Sequence, residues 1–352
     1  MEARFFLCFL LALLLGSGTE GHGHRHHHRR HHLVKRLFVF GDSYADTGNI
    51  WRGLANCWKS PYGSTFPGKP AGRFSDGRVI TDFVATYLGV PSPVPYRLES
   101  VAGHRSRYGI NFAYGGTGVF DTAIPLPNMT TQIDFLEQLI KDGTYGPRQL
   151  RSSMAFVSIG GNDYLSYLYF GNGTIARLKS FIRSVVNRAE ADLERLVRLG
   201  VGRIGVLGLG PVGCVPFNTQ NISYSSCVDL FNQNAVYHNA LLQKAVDAIN
   251  AHPSHRSRVE MLSVFDAWQS LIHGPQKLGQ ESENPLRPCC MGITPLNGCG
   301  DTDQNGKPLY KVCEDPEKAV FWDSVHPTQA TWSRVFRSFR PTLQQLVSYR
   351  TT

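Results

Sequence analysis

The sequence predicts an α/β protein whose central, mainly parallel sheet is covered by helices on both faces. From Leu37 onward, short apolar runs of strand length alternate with segments whose apolar residues recur at helical spacing. No internal repeat of solenoid period accompanies this alternation. Because parallel strands need long crossover connections, and helices supply them, repeated strand–helix units favour a parallel sheet. Residues 36–352 are therefore predicted to form a single domain.

The predicted elements follow one another along the chain in a regular order. Buried strands are predicted at residues 37–40, 109–113, 154–159, 203–207 and 259–265. Helices are predicted at residues 80–88, 133–140, 178–196 and 230–249, with a C-terminal helix that Pro327 opens. Gly89 and Gly200 follow the ends of two of these helices, as glycine often does. Thr131, with Asp134 three residues later, is the predicted cap of the second helix.

Polar motifs follow three of the predicted strands. Ser43, Gly116 and Asn162 each lie just past a strand end, and a fourth motif, Asp323-Ser324-Val325-His326, follows the apolar run 319–322. Sites in open parallel sheets lie beyond the carboxyl ends of the strands. The sequence therefore predicts that these four motifs meet at one edge of the sheet.

Three of these side chains are of the types that an activated serine nucleophile requires: the serine itself, a base and a carboxylate that orients the base. A serine hydroxyl is a weak nucleophile until a base takes its proton, and His326 is the natural base for Ser43 because its ordinary pKa lies near neutrality. Asp323 lies three residues earlier and is expected to orient the imidazole and stabilise its charged form. Taken alone, each residue has an ordinary explanation: a capping serine, and an Asx-turn beside a surface histidine. The Gly-x-Ser-x-Gly elbow of α/β-hydrolases is not present, because residue 45 is alanine.

An oxyanion site needs hydrogen-bond donors where negative charge develops. The predicted donors are the backbone N–H of Ser43, the backbone N–H of Gly116 with Gly115 as an alternate, and the side-chain amide of Asn162. Turns explain the glycine and asparagine motifs equally well when each is taken alone. The conjunction of all four motifs, in order and after strands of one sheet, favours acyl transfer through an acyl-enzyme. This chemistry needs no metal and no cofactor.

The charge pattern argues against a nucleic-acid partner. The formal net charge is +9, but five basic residues lie within residues 25–36, and no basic stripe interleaved with aromatic residues occurs in the body. Arg4, the apolar run 5–15 and the small residues 16–18 predict a secretory signal peptide at residues 1–18, against the alternative of a buried N-terminal helix. That run is too short to span a bilayer, and no stable membrane anchor is predicted.

Residues 19–35 are rich in histidine and arginine and are interpreted as a flexible segment, with loose metal binding as the alternative. Seven cysteines remain after Cys8 is removed with the signal peptide, so at least one is free or pairs between chains. Cys214 and Cys227 are expected to pair. The pairing of the four cysteines from 289 to 313 is left open, and a zinc site is the less favoured explanation of that cluster. Sequons at Asn128, Asn172 and Asn221 predict N-glycosylation and agree with export.

These motifs identify a family resemblance. The sequence resembles the plant GDSL esterase/lipase family, within the SGNH hydrolases, at Gly41-Asp42-Ser43, Gly116, Gly160-x-Asn162-Asp163, Asp323-x-x-His326 and the stretches 72–78 and 321–323. The resemblance covers residues 36–352 and implies a flavodoxin-like three-layer α/β/α fold. It implies that Ser43 is the nucleophile, His326 the base, Asp323 its orienting group, and Ser43, Gly116 and Asn162 the oxyanion hole. Tyr44 departs from the leucine of the family name, which predicts changed packing beside the nucleophile.

The expected function is hydrolysis of a small-molecule or lipid ester by a protein secreted to the apoplast or cell wall. Two alternatives keep the same site, a cell-wall polysaccharide O-acetylesterase and an acyltransferase. A third is a catalytically silent wall or metal-binding protein. The sequence does not indicate the acyl group or the oligomeric state.

Overall fold

Strand β1, Arg36–Gly41, lies inside a six-stranded sheet in which every pairing is parallel. The structure, a computed structural model, describes residues 34–274 and 284–350. The predicted signal peptide and most of the His/Arg-rich segment lie outside the described residues. The other strands of this sheet are β2 (Val94–Pro95), β3 (Ile110–Asn111), β4 (Ser153–Ser158), β5 (Arg203–Leu207) and β6 (Arg258–Leu262).

The spatial order of the sheet is β2-β3-β1-β4-β5-β6. With the short edge strand β2 set aside, this is the 2-1-3-4-5 order of flavodoxin-like folds. The order reverses on either side of β1, which pairs with β3 on one side and β4 on the other. Ligands bind in the crevice outside such a switch point. Ser43, Gly116 and Asn162 follow β1, β3 and β4, so the topology brings all three predicted site residues to that crevice.

Nine α-helices occur in the described residues. They are α1 (Ile80–Leu88), α2 (Met129–Lys141), α3 (Pro147–Arg151), α4 (Gly161–Leu165), α5 (Ile175–Arg198), α6 (Pro216–Thr219), α7 (Asp229–Ala251), α8 (Phe265–His273) and α9 (Gln329–Ser348). A turn of π-helix, Ser166–Phe170, continues α4.

Alternate residues of β1 enter two different cores. Phe38 and Phe40 pack with residues of α2, α5 and α7, whereas Leu37 and Val39 pack with residues of α1, α8 and α9. Successive side chains of a strand point to opposite faces, so a strand buried on both sides is apolar throughout. The sheet is therefore the middle layer of a three-layer α/β/α fold, as predicted.

Three predicted element boundaries were wrong. Helix α2 is capped by Asn128, whose side chain accepts from Thr131 N, so Thr131 lies inside the helix. Strand β6 ends at Leu262, and Phe265 begins α8, which the apolar pattern had merged with the strand. Pro327 does not open the last helix, because Thr328 is its cap and α9 begins at Gln329.

The cysteine-rich segment forms a small separate cluster around an antiparallel pair, β7 (Cys290–Gly292) and β8 (Tyr310–Val312). Disulfides link Cys214 to Cys227, as predicted, Cys289 to Cys313, and Cys290 to Cys299. Cys57 is free and buried, which accounts for the odd count. Within the described residues, no helix is both long and apolar enough to cross a membrane.

Candidate active site

Three predicted residues form one hydrogen-bonded chain. Ser43 Oγ lies 2.8 Å from His326 Nε2, and His326 Nδ1 lies 2.8 Å from both carboxylate oxygens of Asp323. All three residues are buried, with exposed fractions of 8%, 8% and 6% in the order just given. The fold thus brings a hydroxyl near the start of the body within bonding distance of an imidazole near its end.

The turn after β1 presents Ser43. The carbonyl of Asp42 accepts from the N–H groups of Ala45 and Asp46, and its carboxylate accepts from the N–H of Tyr44. These bonds close a tight turn at the end of the strand and leave the serine side chain directed at His326. Burial raises the pKa of Asp42 to about 7, offset in part by the Tyr44 N–H.

The turn that carries His326 is built on the carboxylate of Asp323. Asp323 Oδ1 accepts from the backbone N–H groups of Val325 and His326, at 3.0 and 2.9 Å. This is the Asx-type turn that the sequence offered as an ordinary explanation, and the same turn aims the carboxylate at His326 Nδ1. The Asx-type turn and the orienting carboxylate were offered as alternative explanations of this motif, and the same geometry satisfies both.

The hydroxyl of Tyr62 donates to Asp323 Oδ2 at 2.7 Å. Burial alone would raise the pKa of Asp323, but the charge and hydrogen bond of His326, with the donors Tyr62 and Val325, hold that pKa below its ordinary value. Asp323 therefore remains ionised beside the imidazole. Sequence reasoning missed Tyr62, because no pattern links it to a carboxylate 261 residues away.

The stretch 72–78 packs against the base. The ring of Phe74 lies 4.9 Å from the ring of His326, tilted by 32°. Ser75 Oγ donates to the carbonyl of Pro327, and Asp76 Oδ1 accepts from the N–H of Gln329. This stretch thus packs on the imidazole and holds the backbone that follows it.

The predicted oxyanion donors lie on loops that neighbouring carboxylates hold. Gly116 has a φ of +84°, and a Cβ there would lie 2.8 Å from Ile124, so glycine is required. The N–H of Gly115, the alternate donor, already donates to Asp46 Oδ2. Across the described residues, the N–H groups of Ser43 and Gly116 donate to no protein acceptor. Asn162 Nδ2 donates one of its two amide hydrogens to the carbonyl of Thr117, which leaves the second hydrogen to donate to an oxyanion.

Two aspartates missed as site residues shape the glycine loop. Asp46 accepts from four backbone N–H groups, those of Gly48, Asn49, Ile50 and Gly115. Asp163 accepts from the N–H groups of Val119 and Phe120, four residues beyond Gly115. Burial raises the pKa of each to about 6, and the N–H donors partly offset this. The sequence signal was the place of Asp163 within the predicted Gly160–Asp163 motif and the place of Asp46 three residues after Ser43.

A cavity of about 150 Å³ opens beside Ser43 and Asn162. Apolar side chains form most of its wall, contributed by α5, α7, the turn 166–170 and the segment 207–217. Asn218 and Asn234 also line it, and one amide hydrogen of each is bonded to a backbone carbonyl, that of Val212 and that of Leu230 respectively. The cavity therefore suits an apolar occupant.

The described residues contain one group of three with metal-ligand atoms close together, Cys214, Cys227 and His273. Its two sulfurs are joined in a disulfide and are not thiolates, so the donor set does not fit a resident metal. Of the three sequons, Asn172 and Asn221 are exposed, whereas Asn128 is half-buried and caps α2. Glycosylation at these positions stays a prediction.

A sequence profile described as GDSL-like Lipase/Acylhydrolase matches residues 37–339, nearly the whole body. The chain belongs to this family. Two Arabidopsis thaliana relatives, each named a GDSL esterase/lipase, are 44% identical over 97% of this chain and 97% of theirs, and 43% identical over 94% of each. This GDSL family member is a carboxylic ester hydrolase.

Among solved structures, a carbohydrate acetylesterase from Sinorhizobium meliloti matches this GDSL protein with 11% identity and a TM-score of 0.43. The match covers 89% of this chain and 99% of the other. The α/β fold rests on the parallel sheet and on the family match.

Proposed function

We propose that this protein is a secreted serine hydrolase that cleaves carboxylic esters through an acyl-enzyme. Ser43 attacks the ester carbonyl while His326 Nε2 takes its proton, and Asp323 stabilises the resulting imidazolium. His326 then protonates the leaving alcohol, and the acyl group stays on Ser43 Oγ. Water attacks this acyl-enzyme with His326 as its base, releasing the acid and restoring Ser43. The 2.8 Å distance between Ser43 Oγ and His326 Nε2 is the observation that carries the proposal.

The N–H groups of Ser43 and Gly116 and the amide of Asn162 are the proposed donors to the negative oxygen. Each lies after a different one of the three strands at the switch point. Their preorganisation by fixed backbone contacts is what makes such donors effective, since they need not reorient as charge develops. The carboxylates of Asp46 and Asp163 supply that fixation.

The proposed substrates carry an apolar acyl group larger than acetyl. The cavity is lined by Ser43 and Asn162 and also by Tyr44 and Val325, and most of its wall is apolar. His326 must lie beside the leaving alcohol to protonate it, and neither His326 nor Phe74, which packs on the His326 ring, lines the cavity. We therefore assign the cavity to the acyl group of the ester. Burial of each further methylene there is worth about 0.8 kcal/mol.

Hydrolysis of p-nitrophenyl esters from acetate to decanoate tests the chemistry and the substrate class together. Wild-type protein is expected to hydrolyse them and to be labelled by a fluorophosphonate, and S43A is expected to lose nearly all turnover and all labelling. S106A removes an exposed serine hydroxyl and is the matched control. Turnover by S43A equal to that of S106A would overturn the mechanism.

Gly161 gives a direct test of the acyl pocket. It lines the cavity, and a Cβ added there meets no atom within 4 Å, so a side chain enters open space. G161L is expected to lower kcat/KM for octanoate relative to acetate by at least about tenfold, because its side chain takes the volume of several methylenes. Gly53 is equally open but does not line the cavity, so G53L is the control. An unchanged octanoate-to-acetate ratio in G161L would exclude this pocket.

Secretion is part of the same proposal. The three disulfides and the exposed sequon residues Asn172 and Asn221 support an oxidising, glycosylating route. The full chain with a C-terminal tag, expressed in plant cells, is expected in the apoplastic fluid without residues 1–18. Retention of the tagged protein in the cytosol would contradict secretion, and transfer of acyl groups to an added alcohol in preference to water would indicate an acyltransferase.

A further inference from the structure

Tyr44 makes a second connection between the nucleophile turn and the base turn, beside the Ser43–His326 contact. Tyr44 follows Ser43 in the chain, and its partner Val325 precedes His326. Its hydroxyl donates to the carbonyl of Val325 at 2.9 Å, while the neighbouring Ser43 contacts the neighbouring His326 at 2.8 Å. The two turns are 281 residues apart in sequence at this contact. The leucine that the family name places at this position has no group to make this bond.

The ring of Tyr44 is held on several sides. It packs edge-to-face on Trp332 of α9 at 5.1 Å and edge-to-face on His326 at 6.0 Å, and lies 6.1 Å from Trp268 of α8. The two tryptophans are fully buried and belong to the core on this face of the sheet. Rotation of the Tyr44 ring would displace these packed neighbours, so the direction of its hydroxyl is fixed by the core.

The hydroxyl remains a donor under all assay conditions. Burial raises the pKa of Tyr44 well above its ordinary value, and the nearby carboxylates of Asp42 and Asp323 act in the same direction. A neutral hydroxyl beside a backbone carbonyl has one good acceptor within reach, which is Val325 O. The contact therefore does not depend on the protonation of the site.

We infer that Tyr44 is a positioning residue that fixes the separation of Ser43 and His326, an inference that rests on the proposed function. Tyr44 adjoins Ser43 in the chain and holds the peptide that precedes His326. Among the described residues, this hydrogen bond and that of the reacting pair are the two that join the Asp323–His326 turn to the nucleophile turn, so without it only the reacting pair and the Tyr44–His326 ring contact remain. Proton transfer depends steeply on that separation, and a misplacement of about 1 Å can cost on the order of a hundredfold in rate.

Y44F tests this inference, because it keeps the packed ring and removes only the hydroxyl. Y145F is its matched control: Tyr145 is buried, and its hydroxyl donates to the backbone carbonyl of Ser106 at 2.7 Å, away from the candidate site. Both variants lose one buried tyrosine–carbonyl bond, so their thermal stabilities should fall by similar amounts.

The kinetic constants should separate the two variants. Y44F is expected to lower kcat for a short-chain p-nitrophenyl ester on the order of tenfold, with KM changed less than about twofold, because Tyr44 lines the cavity but its hydroxyl is bonded to Val325 O and Y44F keeps the ring. Y145F is expected to keep both constants within about twofold. Y44L should be at least as impaired as Y44F, since it loses the ring contacts as well.

Equal kcat values for Y44F and Y145F would overturn the inference, as would full activity in Y44L. These outcomes differ from failure of the proposed function itself. If wild-type protein hydrolyses the ester and S43A does not, the mechanism stands and the Y44F result decides the positioning role alone. If S43A keeps wild-type turnover, the mechanism fails, and the positioning role falls with it.

Discussion

The hydroxyl of Tyr62 and the carboxylate of Asp323 lie 2.7 Å apart, and both residues are buried. Tyr62 belongs to the loop after β1, and its ring packs edge-to-face on Trp322. Asp323 already accepts two backbone N–H groups and the imidazole. Tyr62 therefore supplies the last donor to a buried charge, and such hydrogen bonds to ionised groups contribute about 1.5–3 kcal/mol each.

Y62F is expected to lower kcat on the order of tenfold, because Asp323 loses one of the donors that keep it ionised and fix its position beside the imidazole. The hydrogen bond from Tyr62 lowers the pKa of Asp323, so its loss should move the acid limb of the kcat/KM profile to higher pH. Initial rates between pH 4 and pH 8 on a chromogenic ester measure both effects. Y310F is the control, because the Tyr310 hydroxyl donates to Ser60 O in the same region. An acid limb shared by the two variants would contradict the role given to Tyr62.

G116A should damage the oxyanion loop specifically. Gly116 has a φ of +84°, where an L side chain is strained, and the new Cβ would lie 2.8 Å from Ile124 Cγ1, so we expect the loop that carries the Gly116 N–H to shift. Loss of one oxyanion donor costs on the order of 10²–10³ in kcat.

Gly143 provides the matched control for G116A. Its φ is +77°, and a Cβ there meets no atom within 4 Å, so G143A carries the backbone penalty of a left-handed residue without crowding. Comparable stability losses with a kcat loss confined to G116A would support the assignment. If G143A lost as much kcat as G116A, backbone strain alone would explain the loss, and the oxyanion role given to Gly116 would be contradicted.

D46N is expected to lower stability and kcat together. Each carboxylate oxygen of Asp46 accepts two backbone N–H groups. In D46N the amide oxygen can still accept two of these N–H groups, but the amide NH₂ group then faces the other two and cannot accept from them. The free energy of unfolding should fall by about 2–3 kcal/mol, the cost of leaving buried donors unsatisfied. Denaturant titration and ester turnover measure the two effects. A variant with normal kcat would show that Gly115 does not need Asp46 to hold the oxyanion loop.

The parallel sheet and the meeting of the Ser43, Gly116 and Asn162 motifs were predictable because both depend on patterning and on one topological rule, whereas the flavodoxin-like fold was implied by the family resemblance. The runs around Phe40, Phe112 and Val157 are apolar enough to mark buried strands, and a parallel sheet places the residues after each strand at one edge. Within the described residues, His326 directly follows no strand of this sheet, so its pairing with Ser43 came from the chemistry of the two motifs and from the family resemblance, and their roles stay a proposal.

Other features were not predictable because they depend on contacts between distant segments. Phe265 follows Val264 after a single serine, Ser263, and this short interruption does not by itself mark Phe265 as the start of α8. Asn128 caps α2 although Thr131 has the commoner capping-box spacing, because the loop geometry before the helix decides the cap. Tyr62 and Tyr44 act across more than 250 residues, and no periodicity reports such a contact.

His238 should make stability depend on pH. It is buried, its Nδ1 lies 2.6 Å from the Tyr164 hydroxyl, and burial lowers its pKa to about 4 from 6.5. Between these values the unfolded chain binds a proton that the folded protein does not, so this contribution is present above pH 6.5 and is lost as the pH falls towards 4. The raised pKa values of Asp42, Asp46 and Asp163 act in the opposite direction, because those groups bind protons more readily when folded.

The variant H238Q isolates the histidine contribution, since glutamine keeps a partner for the Tyr164 hydroxyl but does not titrate. On lowering the pH from 7 to 5, the free energy of unfolding of wild-type protein should fall by about 2 kcal/mol more than that of H238Q, at about 1.4 kcal/mol per unit of pKa difference. Urea titrations of both proteins at the two pH values measure the difference directly, and the three aspartates cancel because both proteins contain them. Parallel pH dependences would mean that His238 becomes protonated inside the folded protein as readily as in the unfolded chain, and burial could not then be what sets its pKa.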